Sequence, residues 1–178
     1  MKLYEFYLGM LQEDEPTDVQ KKAGNYKMKH ITWNGLNISI ENPANSYRSG
    51  TDGDGIKWRQ KIYYDYGYIC GTKAIDGDQL DIFMGPNKKS EIIFVVNQTN
   101  KKGEFDEHKV ILGADTKDQA ERMYLKNYEK GWDRYDSIIS VTIEQFKDWI
   151  KNHNIKKPII GFIKENLEKN IFNIILDK

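Results

Sequence analysis

The stretch "AIDGDQLDIFMGP", residues 74–86, constrains the fold more than any other part of the chain. Three aspartates, Asp76, Asp78 and Asp81, fall within six residues and lead into the apolar run 82–84. Carboxylates this close repel one another, so the folded chain has to supply compensating positive charge where a strand begins. Oxygen ligands suit hard divalent cations such as Mg²⁺, Mn²⁺ or Ca²⁺. The alternative interpretation is a solvated acidic turn.

The spacing of the aspartates separates this cluster from a known calcium loop. On an extended segment Asp76 and Asp78 point to the same side, and a bend can bring Asp81 back beside them. An EF-hand counted from Asp76 would need an acidic residue or asparagine at Leu80 and a glutamate at Asn87. We therefore predict a metal site of another kind.

Complementary polar side chains lie upstream of the cluster. The segment "IENPANSYR" places Glu41 at the end of an apolar strand and Arg48 in the loop that follows. The segment "YDYGYI" supplies Tyr66 and Tyr68 directly before the cluster. An acid, a base and tyrosine hydroxyls are the groups that a metal and phosphate site requires.

Downstream, "FDEHKVILG" carries four polar residues into a buried strand. Because side chains alternate along a strand, Glu107 and Lys109 share one face. Asp106 and His108 share the other face. An acid and a lysine on one face fit a second metal ligand beside a phosphate contact, and the alternative is an ordinary charged start of a strand.

Composition excludes several classes of protein. The 178 residues suit one domain, and 39% of them are hydrophobic, which is enough for a core. Lysine plus arginine equals aspartate plus glutamate at 27 each, which argues against general nucleic-acid binding but leaves a local cationic pocket open. Cys70 is the sole cysteine, so no internal disulfide forms. With neither a signal peptide nor a run of membrane-spanning length, the sequence predicts a cytoplasmic protein without a membrane partner.

Hydrophobic patterning predicts strands first and helices afterwards. "KHITWNGLNISIEN" has the alternation of a β-hairpin that turns at Asn34–Gly35. "NPANSYRSGTDGDG" is rich in turn formers and is predicted as a loop. Further strands are predicted at "IKWRQKIYYDYGYI", "QLDIFMG", "EIIFVVNQ" and "EHKVILG".

The C-terminal third has helical periodicity. "TKDQAERMYLKNYEKGW" begins with a capping box formed by Thr116 and Gln119, and "VTIEQFKDWIKN" repeats it with Thr142 and Gln145. "PIIGFIKENLEKNIFNIIL" is predicted as the last helix. We predict an N-terminal extension of uncertain structure at residues 1–25 and a single α+β domain at residues 26–178.

Taken together, these segments resemble the Mg²⁺-dependent, single-domain soluble inorganic pyrophosphatases. The family signature Asp-x-Asp-Pro-x-Asp matches "DGDQLD" except that Gln79 replaces proline. "IENPAN", "DYGYI" and "EHK" resemble three further family segments in the same order. The longer segments "IENPANSYRSGTDGDG" and "DYGYICGT" look closer still to the pyrophosphatase-like domain of phage and prophage proteins.

The resemblance implies a closed five-stranded, OB-like β-barrel with helices packed outside. It implies hydrolysis of pyrophosphate to two phosphates with Mg²⁺, or alternatively Mn²⁺, in the host cytoplasm if the chain is phage-encoded. It assigns metal ligands at Asp76, Asp81, Glu107 and Glu41. It assigns the general base to Asp78, and phosphate contacts to Arg48, Tyr66, Lys109 and Tyr128.

The sequence departs from the family pattern at several positions. A further family aspartate before the Asp-x-Lys strand is absent from "NKKGE", and Asp106 or Glu104 is its candidate substitute as a metal ligand. The family's lysine after the helical tyrosine is replaced by Glu129, and its central arginine has two candidates, Arg48 and Arg59.

Three functions stay open at this point. Pyrophosphate hydrolysis is favoured. A phosphohydrolase of the same fold acting on a nucleotide or another diphosphate is the first alternative, and a non-catalytic phage binding or structural module is the second. Family members commonly assemble as dimers or hexamers, so a homo-oligomer is an open expectation.

Overall fold

The computed structural model describes residues 28–51 and 55–176. The predicted extension at residues 1–25 and the centre of the turn at residues 51–55 lie outside the described residues. In chain order the described elements are β1 (Lys29–Trp33), β2 (Leu36–Asn42), β3 (Tyr47–Thr51), β4 (Lys57–Lys61), β5 (Asp65–Ile69), β6 (Leu80–Met84), β7 (Ile92–Thr99), β8 (Phe105–Leu112), α1 (Lys117–Lys126), β9 (Tyr135–Thr142), α2 (Ile143–Asn152) and α3 (Ile160–Leu176).

The first two strands form the predicted hairpin. Trp33 pairs with Leu36, so the turn consists of Asn34 and Gly35. Their φ angles are 47° and 78°. Positive φ at both central positions defines the turn type that matches the twist of paired strands, and asparagine followed by glycine tolerates it best. The hairpin prediction is confirmed.

Seven strands form one mixed sheet in the order β1-β2-β5-β6-β8-β7-β9. Every neighbouring pair is antiparallel except β6 and β8, which run parallel with Asp81 beside Lys109. β3 and β4 pair only with each other and form a separate two-stranded ribbon.

The prediction of a closed five-stranded barrel is wrong. The sheet is open, with β1 and β9 at its two edges in the described part of the chain. Its central strands are apolar on both faces: Ile82 packs in a cluster with residues of α2 and α3, whereas Phe83 packs in a cluster with residues of α1. A sheet buried on both faces needs helices on both sides, while a small barrel encloses only one face. The α+β class itself is confirmed.

Two other predictions about the order of elements fail. β9 follows α1, so strands and helices are interleaved, and β9 pairs along β7 at the edge of the sheet. The predicted loop at residues 42–55 contains β3. The backbone of β3 pairs with β4 and not with the main sheet.

The helix starts largely follow the sequence signals. Thr142 and Gln145 form the complete capping box of α2, with each side chain accepting from the other's backbone N–H. At α1, Thr116 Oγ1 accepts from the backbone N–H of Gln119 at 3.2 Å. The Gln119 side chain accepts from Asp115 instead of Thr116, so this box is only half formed. None of the helices in the described ranges has the length and apolar character needed to cross a membrane.

Candidate active site

Adjacent strands bring the predicted polar side chains to one face of the sheet. Glu41 lies at the bulge in β2, Asp81 is the second residue of β6, and Glu107 and Lys109 lie on β8. The loop before β6 and the ribbon complete a cavity of about 540 Å³. Its lining comprises Glu41, Arg48, Tyr68, Asp76, Gly77, Asp78, Gln79, Asp81, Glu107 and Lys109.

The loop that carries the first two aspartates is a turn rather than an extended segment. Asp76 Oδ1 accepts from the backbone N–H of Asp78 at 3.0 Å. Gly77 between them has a φ of 95°, a conformation that glycine adopts without strain. The Gln79 side chain accepts from the backbone N–H of Gly71 at 2.8 Å, which fixes the end of the turn. Both aspartates are exposed and line the cavity.

Lys109 lies between two of the carboxylates. Its Nζ donates to Asp81 Oδ2, and it donates to Glu107 Oε2 at 2.7 Å. The Tyr66 hydroxyl also donates to Asp81 Oδ2, at 2.5 Å. Burial opposes the ammonium, but the oxygens of Tyr66, Asp81, Tyr128 and Glu107 outweigh it and hold the pKa of Lys109 well above its usual value. Lys109 is therefore a permanent buried cation.

The negative charges around the cavity outnumber the positive ones. Burial raises the pKa of Glu41, and the neighbouring carboxylate of Asp81 raises it further. Burial also raises the pKa of Glu107, against the opposing effect of Lys109. Five carboxylates face only two basic side chains around the cavity, an excess of three negative charges.

This donor set fits hard divalent cations by charge and by ligand type, because such ions take carboxylate oxygens. Within the described ranges, however, no three of these side chains converge into a ready-made metal cluster. Lys109 takes one oxygen from Asp81 and one from Glu107. Lys109 makes no direct ion pair with the carboxylates of Asp76, Asp78 or Glu41.

Three of the predicted site residues lie outside the cavity lining. The Tyr66 ring is buried behind Asp81, and the Tyr128 hydroxyl donates to Gln98 Oε1 at 2.7 Å. Burial raises the pKa of both tyrosines, so both hydroxyls stay protonated. Asp106 lies where the register between β7 and β8 shifts, and it is not among the residues that line the cavity.

The two candidate arginines lie on opposite faces of the ribbon. Arg48 lines the cavity, and its guanidinium carbon lies 4.3 Å from the centre of the Tyr66 ring. Arg59 projects from the opposite face of the ribbon and stacks on Tyr47 at 4.0 Å. Arg48 is therefore the arginine that can meet a ligand here.

Gln98 is a part of the site that the sequence analysis missed. Its Nε2 donates to Glu107 Oε1 at 2.7 Å, while its Oε1 accepts from the hydroxyls of Tyr124 and Tyr128, both at 2.7 Å. The Trp132 indole donates to the Tyr124 hydroxyl at 2.8 Å. An indole N–H can only donate, so the Tyr124 proton points to Gln98 and the Gln98 amide group points to Glu107.

This arrangement holds one oxygen of Glu107 as an acceptor from Gln98 and the other as an acceptor from Lys109. Gln98 lies directly opposite Glu107 in the register of β7 and β8. The available sequence signal was an amide at the end of the apolar run "IIFVV", where a buried polar side chain needs a polar partner.

Comparison with known proteins adds one finding. A family model described as Inorganic Pyrophosphatase matches residues 18–151, about three quarters of the chain. The match includes every residue that lines the cavity. No curated protein matches the chain.

Proposed function

The chain belongs to the inorganic pyrophosphatase family, and we propose that its cavity hydrolyses pyrophosphate to two phosphates with divalent cations as cofactors. The observation that carries the proposal is the charge imbalance of the lining, five carboxylates against two basic side chains. A bare acidic cavity repels an anionic substrate, so the lining supports phosphate chemistry only when cations are bound with it.

The cofactor assignment rests on this chain's own donors. Asp76, Asp81, Glu41 and Glu107 would hold the cations, with Mg²⁺ preferred and Mn²⁺ as an alternative. Bound cations of this kind lower the pKa of water and neutralise charge on phosphoryl oxygens. Asp106 is not included, because it does not line the cavity.

The remaining residues position the reactants. Asp78 is exposed at the cavity, where its carboxylate can accept a proton from the attacking water. Arg48 and Lys109 direct fixed positive charge at phosphate oxygens, and Arg48 offers a planar donor group that suits them. Tyr66 and Tyr128 act behind the lining, on Asp81 and Gln98 respectively. Phosphoryl transfer depends mainly on such positioning and charge neutralisation.

The biological setting is a further part of the proposal. The resemblance of "IENPANSYRSGTDGDG" and "DYGYICGT" to phage and prophage domains supports a phage-encoded enzyme in the host cytoplasm. There it would remove the pyrophosphate that polymerases release and so draw nucleic-acid synthesis forward.

The test is phosphate release from pyrophosphate by the purified protein with Mg²⁺ or Mn²⁺. We expect release by the wild type and a loss of about 100-fold or more in Asp78→Ala, since a general base typically contributes about 100- to 10,000-fold. Asp118→Asn, on the exposed start of α1, is the matched control and should keep the wild-type rate. Calorimetry with Mg²⁺ or Mn²⁺ alone gives a readout that does not depend on turnover. Absence of release with both cations would refute the proposal and favour a non-catalytic module.

A further inference from the structure

The two-stranded ribbon presents a second chemistry at the mouth of the cavity. In its register Gly50 pairs with Trp58 and Arg48 pairs with Gln60, so these four residues share one face. Tyr47 pairs with Lys61 on the opposite face. The face that carries Trp58 is thus the face whose Arg48 lines the cavity.

Trp58 lies flat against the ribbon. A Cβ atom added at Gly50 would lie 2.6 Å from the Trp58 ring, so the indole occupies the space that any larger residue would fill. The side chain nevertheless remains 39% exposed. An indole that packs against the backbone and keeps part of its ring exposed can stack with a planar group.

Arg48 connects this surface to the cavity. Its guanidinium carbon lies 5.9 Å from the centre of the Trp58 ring and 4.3 Å from that of Tyr66. Tyr66 in turn donates to Asp81 in the cavity. A ligand whose phosphates reach Arg48 would therefore bring its adjoining part next to Trp58.

On the described strands of the ribbon, Arg48 is the basic side chain on the face of Trp58, whereas Lys57, Arg59 and Lys61 belong to the opposite face. Arg48 is therefore the cation placed to meet phosphate beside Trp58. The cavity volume of about 540 Å³ falls in the range of about 300–1,000 Å³ that encloses drug-sized ligands. Pyrophosphate has no carbon skeleton and is much smaller than such ligands.

We propose that the site takes nucleoside diphosphates, with the phosphoanhydride in the cavity and the base stacked on Trp58. This inference rests on the proposed function, because the same carboxylates and cations act on the anhydride. Water attacks the terminal phosphorus, and the bond from that phosphorus to the bridging oxygen breaks. The products are orthophosphate and a nucleoside monophosphate, and the proton lost by the water passes to Asp78.

The first test measures binding without turnover. Calorimetry compares α,β-methylene ADP with methylene diphosphonate, which has the same phosphorus framework and no base. We expect Trp58→Ala to weaken binding of the nucleotide analogue about 5- to 100-fold, as loss of one base–aromatic stack does. Binding of methylene diphosphonate should stay unchanged, and Trp58→Phe should recover most of the loss, because a ring is restored.

Tyr47→Ala is the matched control, since Tyr47 is an exposed aromatic residue on the opposite face of the same ribbon. It should bind both analogues like the wild type. Equal affinity of Trp58→Ala and wild type for α,β-methylene ADP would overturn the inference. If Trp58→Ala disturbed the ribbon itself, binding of methylene diphosphonate through Arg48 would fall as well, and the Trp58→Phe comparison would then decide.

The second test separates the two proposals. Phosphate release is compared for pyrophosphate, ADP and methyl diphosphate, and we expect kcat/KM for ADP to exceed that for methyl diphosphate only when Trp58 is present. Hydrolysis of ADP without hydrolysis of pyrophosphate would refute the proposed function and leave this inference standing. Hydrolysis of pyrophosphate together with equal kcat/KM for ADP and methyl diphosphate would refute this inference alone.

Discussion

Lys109 and His108 are neighbours on β8, and both are buried bases, yet they lie in opposite surroundings. Lys109 is 4% exposed and donates to Asp81 and Glu107 on the cavity face. His108 is 2% exposed on the other face, where its ring packs between Phe105 and Trp149. Its Nε2 has no hydrogen-bond partner among the described residues.

The comparison separates the cost of burial from the effect of partners. Burial disfavours the charged form of both side chains. Anionic and hydroxyl oxygens reverse that effect for Lys109, whereas at His108 burial prevails and lowers the pKa to about 3. One strand thus keeps a charge on the face that lines the cavity and removes it on the face that packs against α2. Three substitutions test this division.

The largest effect is expected from Lys109→Met. The variant leaves Asp81 and Glu107 without their shared cation, so we expect phosphate release to fall by about 100-fold or more. The free energy of unfolding without added cations should fall by about 2–3 kcal/mol. That is less than the about 3–5 kcal/mol typical of a fully buried pair, because the two carboxylates keep 21% and 27% of their side-chain surface exposed.

Phosphate-release kinetics and urea unfolding measure the two effects. His108→Phe is the control from the other face of the same strand and should keep the wild-type rate. A wild-type rate of turnover in Lys109→Met would mean that the ammonium group of Lys109 contributes only to stability. The proposed difference between the two faces of β8 would then be refuted.

An intermediate effect is expected from Gln98→Met. The substitution keeps the volume but removes the donor that fixes Glu107 Oε1. Loss of such a supporting hydrogen bond typically costs about 10- to 100-fold in activity or metal affinity. Turnover and calorimetric Mg²⁺ affinity are the measurements.

Asn97→Leu provides the matched control for Gln98. Asn97 is the adjacent buried amide on β7, it lies opposite His108, and it donates to Ser137 at 2.8 Å. Its loss should lower stability while leaving the rate of the folded protein unchanged. If Asn97→Leu slowed turnover as much as Gln98→Met, the slower turnover of Gln98→Met would reflect a general disturbance of the sheet and not the loss of the hydrogen bond to Glu107.

The smallest effect is expected from His108→Phe, and it should depend on pH. Near neutral pH the histidine is uncharged in both states, so the free energy of unfolding should change by less than about 1.5 kcal/mol. Between pH about 6.5 and pH about 3 the unfolded histidine binds a proton that the folded one does not. Wild-type stability should therefore fall relative to the variant as pH decreases, by up to about 1.4 kcal/mol per pH unit.

Chemical denaturation of both proteins at a series of pH values tests this expectation. The difference between the two free energies of unfolding isolates the contribution of His108 from that of the carboxylates. The raised pKa values of Glu107 and Glu41 change the stability with pH in the opposite direction, and they do so in both proteins. Parallel curves across the acidic range would show that His108 gains a proton in the folded state.

Local signals in the sequence predicted much of the fold and much of the site. The turn at Asn34–Gly35 and the capping box at Thr142 depend on neighbouring residues, and both are confirmed. The family resemblance assigned both Asp81 and Lys109 to the site, and the structure places them side by side. These features were accessible because short-range chemistry determines them.

Long-range pairing was not accessible in the same way. The prediction of a closed barrel was wrong because β6 and β8 bury side chains on both faces of the sheet. That burial depends on the helices that cover the two faces. β9 was missed because its pairing partner, β7, lies about 45 residues earlier in the chain. Gln98 was missed because its three hydrogen bonds join residues that are 9 to 30 positions away.

The place of β8 in the sheet has a consequence for a chain that is still being synthesised. β8 lies between β6 and β7, although it follows both in the sequence. Until β8 has left the ribosome and taken this place, Asp81 has no lysine beside it and Glu107 is absent. A nascent chain can complete the hairpin of β1 and β2 early, but its cavity stays incomplete until the residues of β8, up to Leu112, have emerged.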